Sequence, residues 1–265
     1  MREYSFILPL SSKENTIYLK ASIDSMISQS LSPKEIIIII DNVSNLDHLN
    51  LINNYKNDRI KIITYKGNGG LGGMLSKGVL STNTEIILRQ DSDDISKKDR
   101  AKRQINHLIN ANVDIVGSDV REFYDTPGDL KKSLKKAIMK KNYYYVRNPL
   151  NHMSVAFQKN SIIQSGNYLP LKNFEDWYLW LRAIKLNFKI ETMNEPLVYA
   201  RVGKNFYNKR HGYQYFCSEL IAMNTFFKEK LIPARFFFLN ILIRFFIRIF
   251  PLRLTNFFYK RLRGE

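Results

Sequence analysis

The chain has 265 residues, 45% hydrophobic and 25% charged, with a formal net charge of +17 and one cysteine, Cys217. This is the composition of a folded globular protein, long enough for one large domain or two small ones. A single cysteine excludes an internal disulfide framework and a cysteine-based zinc site, which makes a reducing, cytosolic compartment the default. The N-terminus runs straight into a strand-like segment, leaving no room for a signal peptide. Residues 4–8 read as a strand ended by Pro9, and 15–29 as a helix with apolar positions at Ile17, Ala21, Ile23, Met26 and Ile27. Residues 35–40 hold five consecutive isoleucines, the pattern of a strand buried on both faces, stopped by Asp41-Asn42. Residues 46–55 read as a helix, 59–64 as a strand, 70–80 as a helix and 85–90 as a fourth strand. Such alternation implies βαβ units and a mostly parallel sheet with helices on both faces. Further on, 114–118 reads as a strand, 125–145 as a polar, lysine-rich excursion and 153–158 as a return to the sheet. Residues 174–186 read as a helix with Trp177, Trp180, Leu181 and Ile184 on one side, and 197–201 as a short strand.

Residues 234–250 are rich in Phe, Ile and Leu, punctuated by Arg235, Asn240, Arg244 and Arg248. A membrane-spanning helix would bury Arg244 near its middle, and the run falls short of about 20 residues. At about 100° per residue, Asn240, Arg244 and Arg248 share one stripe about 80° wide. The expectation is an amphipathic helix with a basic stripe, suited to lying in a membrane interface, its basic character continued by Arg253, Lys260, Arg261 and Arg263. The alternative is a helix docked on the protein's own core. Charge is uneven along the chain: residues 1–94 carry a net −1, 95–227 a net +11 and 228–265 a net +7. An anionic partner or surface is therefore expected against the downstream part.

The chemistry centres on Asp91-Ser92-Asp93-Asp94. Alone, this is an acidic turn that a solvated loop would also produce. At the end of a fourth parallel strand it joins Pro9-Leu10-Ser11-Ser12, Asp41-Asn42 and residues 66–70 in the crevice at the carboxyl ends of the strands, where open sheets bind ligands. Asp91 and Asp93 can share one hard divalent cation completed by phosphate oxygens and water. The run Asn68-Gly69-Gly70-Leu71-Gly72-Gly73 lacks the G-x-G-x-x-G spacing and follows the third strand, so it reads as a phosphate-adjacent turn.

The order Pro9, Asp41-Asn42, Asn68-x-Gly70, Asp91-Ser92-Asp93-Asp94 and Glu175-Asp176 resembles the inverting GT-A glycosyltransferases of glycosyltransferase family 2, over about residues 4–205. Residues 89–95, 147–155 and 198–203 are similar to a bacterial subgroup that builds O-antigen, capsule and exopolysaccharide units and includes galactosyltransferases acting on lipid-linked sugars. The resemblance implies that Pro9, Asp41, Asn68, Gly70 and Asp91 contact the nucleotide sugar and that Asp93, with Asp91, holds Mn²⁺ or Mg²⁺. It implies Asp176 as general base, Glu175 shaping the acceptor site, and a β-linkage from an α-linked donor. Four positions depart from the family: Ser11-Ser12 replaces Tyr-Asn, Asn42 an Asp, and Leu75 an Arg.

His152 and Asn151 are candidates for binding the acceptor or its diphosphate, as are Arg201 and Arg210 within the Lys209-Arg210-His211 cluster; solvated or structural roles compete for each. The implied function is transfer of a sugar, galactose from UDP-galactose in the leading reading, to an undecaprenyl-diphosphate-linked sugar such as GlcNAc. It would occur on the cytoplasmic face of the bacterial inner membrane. The implied organisation is a GT-A domain over residues 1–227, divided into a nucleotide-sugar half (1–94) and an acceptor half (95–227), with a membrane-associating tail from 228 to 265. UDP-Glc, UDP-GlcNAc or dTDP-rhamnose are alternative donors, and a nucleotidyltransferase or a basic nucleic-acid-binding protein are alternative classes. No nucleic-acid module is recognisable, so no nucleic acid is expected as a partner.

Overall fold

The computed structural model describes residues 2–41, 45–55, 57–126, 134–203 and 212–249. Asn42, the Lys209-Arg210-His211 cluster and the basic residues from Arg253 onward lie outside them. Strands β1 (Tyr4–Leu10), β2 (Glu35–Ile40), β3 (Ile60–Thr64) and β4 (Ile86–Arg89) form a parallel block in the order β3-β2-β1-β4. Helices α1 (Thr16–Ile27), α2 (Leu46–Asn54) and α3 (Gly70–Ser81) connect them. Side chains alternate across the sheet, so Phe6, Leu8, Ile36, Ile38 and Leu88 share a core with Leu19, Ile23 and Ile52 of α1 and α2. On the opposite face Ile7, Ile37, Ile39 and Ile87 meet Met74, Leu75 and Val79 of α3. Both faces are covered, which is why the isoleucine run has no polar break. Asn15 and Asn45 cap α1 and α2 by accepting the N–H of Ile17 and Asp47.

One boundary differs from the expectation: β1 continues through Pro9, which pairs with Ile39. Pairing with β4 ends at Ile7, whose carbonyl accepts the Gln90 N–H. Alternation points Pro9 toward the same side as Ile7, where the ladder has ended, so its missing N–H breaks no rung.

The chain continues through β5 (Ile95–Ser96), α4 (Arg100–Asn110), β6 (Ile115–Phe123), β7 (Leu134–Lys135), β8 (Ala156–Gln158), α5 (Lys159–Gln164), α6 (Glu175–Lys185), β9 (Ile190–Arg201), α7 (Tyr213–Lys228) and α8 (Ala234–Ile249). Two 3₁₀ turns, Tyr143–Tyr145 and His152–Ser154, precede β8. The sheet path is β3-β2-β1-β4-β8-β6-β9-β5, with β7 added to β6. Strand β8 runs antiparallel to both β4 and β6, whereas β6 and β9 are parallel. The sheet is therefore parallel in its first half and mixed beyond β4. Strands β6 and β9 run well past the expected 114–118 and 197–201. Register shifts at Ser118, Asp119 and Val120 interrupt the period-two pattern that would have disclosed their length.

The tail takes the alternative arrangement, docked on the protein's own core. Helix α8 turns its basic stripe inward: Arg248 Nε and Nη2 donate to the two carboxylate oxygens of buried Glu219 on α7, each at 2.9 Å. Arg244 Nε lies 3.5 Å from the same carboxylate, and Asn240 is fully buried. The apolar side faces outward, with Phe238 66% and Leu242 55% exposed and Phe245 and Phe246 also exposed. Glu219 is the cause, because a buried carboxylate draws both guanidinium groups toward the protein. Beneath these helices, Phe174, Trp177, Tyr178 and Leu181 of the α6 region pack against Ala222, Met223 and Phe226 of α7, with Phe237 of α8 alongside. No described helix is long and apolar enough to cross a membrane.

Candidate active site

The acidic turn follows β4 directly. Gln90 Nε2 donates to the Asp94 carbonyl at 2.7 Å, and Ser22 Oγ of α1 donates to the Asp91 carbonyl at 2.8 Å. Beneath it, buried Arg100 donates to the Arg89 carbonyl at 2.7 Å, to Gln90 Oε1 at 2.7 Å and to Ser96 Oγ at 2.9 Å. Burial and then the neighbouring Arg89 charge lower the Arg100 pKa to about 9. A guanidinium bonded to neutral groups thus fixes the strand end from which the carboxylates project.

Asp91 is ion-paired with Arg89, whose side chain is 2% exposed. Asp93 is raised to about 7, first by burial and then by the charges of Asp91 and Glu14. Glu14, just past β1, accepts from Ser92 Oγ at 2.7 Å and so belongs to the same acidic corner. Carboxylates held together against their repulsion form a donor set that fits a hard divalent cation. Among the described residues no group of three or more His, Cys, Asp or Glu could hold a metal by itself. A cation held here would take its remaining ligands from a diphosphate and water.

The second acidic centre is the first turn of α6. Asp176 Oδ1 accepts the Trp177 N–H at 2.7 Å, and Oδ2 accepts Asn148 Nδ2 at 2.5 Å. Burial raises the Asp176 carboxyl; the Trp177 and Asn148 hydrogen bonds and the charges of Arg89 and Lys135 oppose it. Glu175 is raised to about 7 by burial and then by Asp176. A carboxylate raised toward neutrality, at a helix N-terminus, suits a general base. Arg89 acts on both centres: it is paired with Asp91, and its charge also reaches Glu175 and Asp176.

His152 Nδ1 lies 3.9 Å from Asp176 Oδ2, and its Nε2 is 3.1 Å from Tyr168 Oη. Burial and then Arg89 push the imidazole pKa far down, so this approach is a contact of neutral His152 and not an ion pair. Gly72 lets α3 approach the same corner: a Cβ there would lie 2.7 Å from the Leu169 carbonyl and 3.3 Å from Glu175 Cβ. The glycine run also wraps Tyr65, whose hydroxyl accepts the Gly69 N–H at 3.1 Å. A Cβ at Gly67 or Gly73 would strike that ring.

Asp41 lines a small recess with Leu10, Ser12, Ile40, Asn45, His48 and Leu49. The Ser12 N–H reaches Asp41 Oδ2 at 3.3 Å. Pro9 is buried within β1, whereas Asn68 and Gly70 are exposed at the start of α3, where Gly70 has φ +55°. Two of the expected acceptor or diphosphate residues, Asn151 and Arg201, bond to backbone carbonyls. Asn151 is buried, and its Nδ2 donates to the carbonyls of Ser118 and Lys135, both at 3.0 Å, which makes it a backbone brace. Arg201 lies at the acidic turn: Nε donates to the Asp93 carbonyl at 3.2 Å and Nη1 to Asp125 O at 2.6 Å, with the guanidinium 3.7 Å over the Tyr18 ring. Arg210 falls outside the described residues. Sequence reasoning passed over Glu14, Arg89, Gly72 and Asn148. Arg89 had a readable signal, since a cation ending the buried strand Ile86-Ile87-Leu88 requires a carboxylate beside it.

Solved structures share this arrangement of sheet and helices. A crystal structure of S. aureus TarS 1–349 in complex with UDP-GlcNAc superposes with a TM-score of 0.67 at 18% identity, covering 92% of this chain and 72% of that one. The mannosyltransferase PcManGT from Pyrobaculum calidifontis, in complex with GDP-Man and Mn²⁺, gives 0.65 at 12% identity, covering 93% and 70%. The fold is that of the GT-A glycosyltransferases. Residues 11–166 match the sequence model of glycosyl transferase family 2, and the chain belongs to that family. It is 29% identical over 265 residues to the Escherichia coli UDP-Gal:alpha-D-GlcNAc-diphosphoundecaprenol beta-1,3-galactosyltransferase, across 98% of this chain and 96% of the relative.

Proposed function

We propose that this glycosyltransferase moves galactose from UDP-galactose, with inversion to a β-linkage, onto an undecaprenyl-diphosphate-linked sugar such as GlcNAc. The observation that carries the reading is the pair of acidic centres, Asp91/Asp93 and Glu175/Asp176, on a chain alike almost end to end to an enzyme of that activity. Asp93 and Asp91 would hold Mn²⁺ or Mg²⁺, which when bound neutralises charge developing on the leaving diphosphate. The Asp41 recess would take the base and ribose. Asp176 removes the proton from the acceptor hydroxyl as its oxygen attacks the anomeric carbon. The bond from that carbon to the β-phosphate oxygen breaks on the opposite face, and its electron pair leaves with UDP. Glu175 shapes the acceptor side beside Gly72.

The proposed acceptor is lipid-linked, and the outward apolar side of α8 is suited to a membrane surface, which supports a reading of the enzyme as peripheral to the cytoplasmic face of the inner membrane. Purified protein is tested with Mn²⁺ or Mg²⁺, a panel of nucleotide sugars and a synthetic lipid-diphosphate GlcNAc, with the linkage assigned by NMR. A β-linked galactosyl product is expected. Transfer only from UDP-Glc, UDP-GlcNAc or dTDP-rhamnose overturns the donor assignment. Formation of a nucleotide sugar from a sugar phosphate overturns the class of reaction.

A further inference from the structure

The inner stripe of helix α8 binds the backbone that leads to the second acidic centre. Three successive carbonyls, two in the 3₁₀ turn Tyr143–Tyr145 and one just past it, each receive a side-chain N–H. Trp177 Nε1 of α6 donates to Tyr144 O at 2.8 Å. Asn240 Nδ2 of α8 donates to Tyr145 O at 2.8 Å, and Arg244 Nη2 of α8 to Val146 O at 3.3 Å. The Tyr145 ring also lies against Phe236 of α8, with centroids 5.1 Å apart. Two residues further on is Asn148, and its amide is oriented from both ends. Oδ1 accepts the Leu150 N–H at 3.3 Å, so Nδ2 is the group presented to Asp176 Oδ2 at 2.5 Å.

Asp176 is held symmetrically by the same construction. Its other oxygen takes the N–H of Trp177, whose indole N–H fixes Tyr144 O and whose ring lies 5.3 Å from the Arg244 guanidinium. Arg244 is in turn bonded to Asn240 Oδ1 at 2.6 Å, so the two α8 side chains act as one unit.

We infer that Asn240 and Arg244 of α8 are positioning residues for transfer. They fix residues 144–148, through which Asn148 holds the Asp176 carboxylate at the angle required to receive the acceptor proton. This deepens the reading of Asp176 as the base and rests on it. A merely structural role for α8 would lower stability and leave turnover per folded enzyme unchanged. A positioning role lowers kcat at constant donor KM, because the base is misaligned while the nucleotide-sugar side, built from β1, β2 and β4, is untouched.

The test compares Asn148→Ala, Asn240→Ala, the double variant and Asp176→Asn in full-length protein. Phe237→Leu serves as a control that loosens the α7–α8 packing at the stacked Phe227–Phe237 pair and removes no hydrogen bond to residues 144–148. Thermal midpoints are read beside kcat and KM for each. Expected are falls in kcat of about 10- to 100-fold for Asn148→Ala and Asn240→Ala with donor KM unchanged. The double variant is expected to be little worse than the poorer single one, since both act through one contact. Phe237→Leu is expected to lower the midpoint and keep kcat. Wild-type kcat in folded Asn240→Ala, or multiplicative losses in the double variant, overturns the inference; if Asn240→Ala does not fold, wild-type kcat in Asn148→Ala overturns it alone. Substantial activity in Asp176→Asn overturns the base assignment instead, which keeps the two failures distinguishable.

Discussion

Asp93→Asn separates the cation role of this residue from its effect on the fold. The carboxyl is raised to about 7 by burial and then by the charges of Asp91 and Glu14, whereas an unfolded aspartate titrates near about 3.9. The folded chain therefore binds this proton more tightly than the unfolded one. The stability this confers is fully present below about pH 4 and is lost as pH rises through about 7. A shift of about three pKa units corresponds to an upper limit of roughly 4 kcal/mol, which partial exposure and solvent screening reduce to on the order of 1–2 kcal/mol. Asparagine has nearly the same shape and stays neutral at every pH. Without added cation, the variant is expected to melt about 2–6 °C above wild type near pH 8, with the gap closing toward about pH 4. Millimolar Mn²⁺ raises the wild-type midpoint by mass action and leaves the variant unmoved. Transfer falls by about 10²-fold or more with loss of electrostatic stabilisation at the leaving group. Calorimetry across pH with and without Mn²⁺, beside a donor-consumption assay, reads all of this. A variant that melts below wild type near pH 8, or a gap independent of pH, refutes the reasoning.

Further outcomes follow from the same geometry. Asp176→Asn is expected to lower kcat by about 10³-fold while UDP-sugar binding, read by calorimetry, persists; unchanged kcat removes the base role. Because burial raises both members of the Glu175–Asp176 pair, wild-type kcat is expected to fall on acidification at a pH above the usual carboxylate range. An acid limb near about pH 4 contradicts that. Glu219→Ala leaves Arg244 and Arg248 buried without their carboxylate, at a cost of about 3–5 kcal/mol, read as a lower denaturation midpoint; an unchanged midpoint contradicts the docked arrangement of α8. Gly72→Ala drives a methyl to 2.7 Å from the Leu169 carbonyl. It is expected to cost about 1–3 kcal/mol and to lower kcat more than donor affinity in steady-state kinetics.

The parallel half of the sheet was legible because its signals are local. An apolar run buried on both faces declares β2, asparagine caps start α1 and α2, and each strand end delivers a polar residue to one edge. Past β4 the signals are long-range. Helix α4 went unread although Ala101, Ile105 and Leu108 carry a helical period into the core; what that period does not disclose is that Arg100 and Gln104 are buried beside them. Both serve the backbone beneath the acidic turn: Arg100 binds the Arg89 carbonyl, and Gln104 Nε2 donates to Ser154 O at 2.7 Å. The candidate site divides in the same way. Carboxylates in short motifs were found, whereas Asn148 acquires its importance only from Asp176, 28 residues away. Asn151, three residues beyond, is indistinguishable from it in sequence and does different work, bracing two carbonyls.

Helix α8 shows why a helical pattern does not by itself fix which way its stripe faces. The stripe of Asn240, Arg244 and Arg248 is real, and a period-based reading sends such a stripe toward water or headgroups. That reading takes the alternative for each arginine to be burial without a partner, which is costly enough to decide the orientation. Glu219 removes the premise, because one carboxylate bonded to Arg248 and adjacent to Arg244 lowers the cost of turning both inward. Asn240 and Arg244 then satisfy the carbonyls of Tyr145 and Val146, which a purely apolar inner face would leave unbonded. With Asn240, Arg244 and Arg248 consumed inside, the helix beyond its exposed Arg235 presents Phe and Leu outward, at Phe238, Leu242, Phe245 and Phe246. On the proposed readings, lipid contact and alignment of the base fall on opposite sides of one helix. Substitutions on the outer side are expected to change membrane binding without changing kcat on a short-chain acceptor, and those on the inner side to do the reverse.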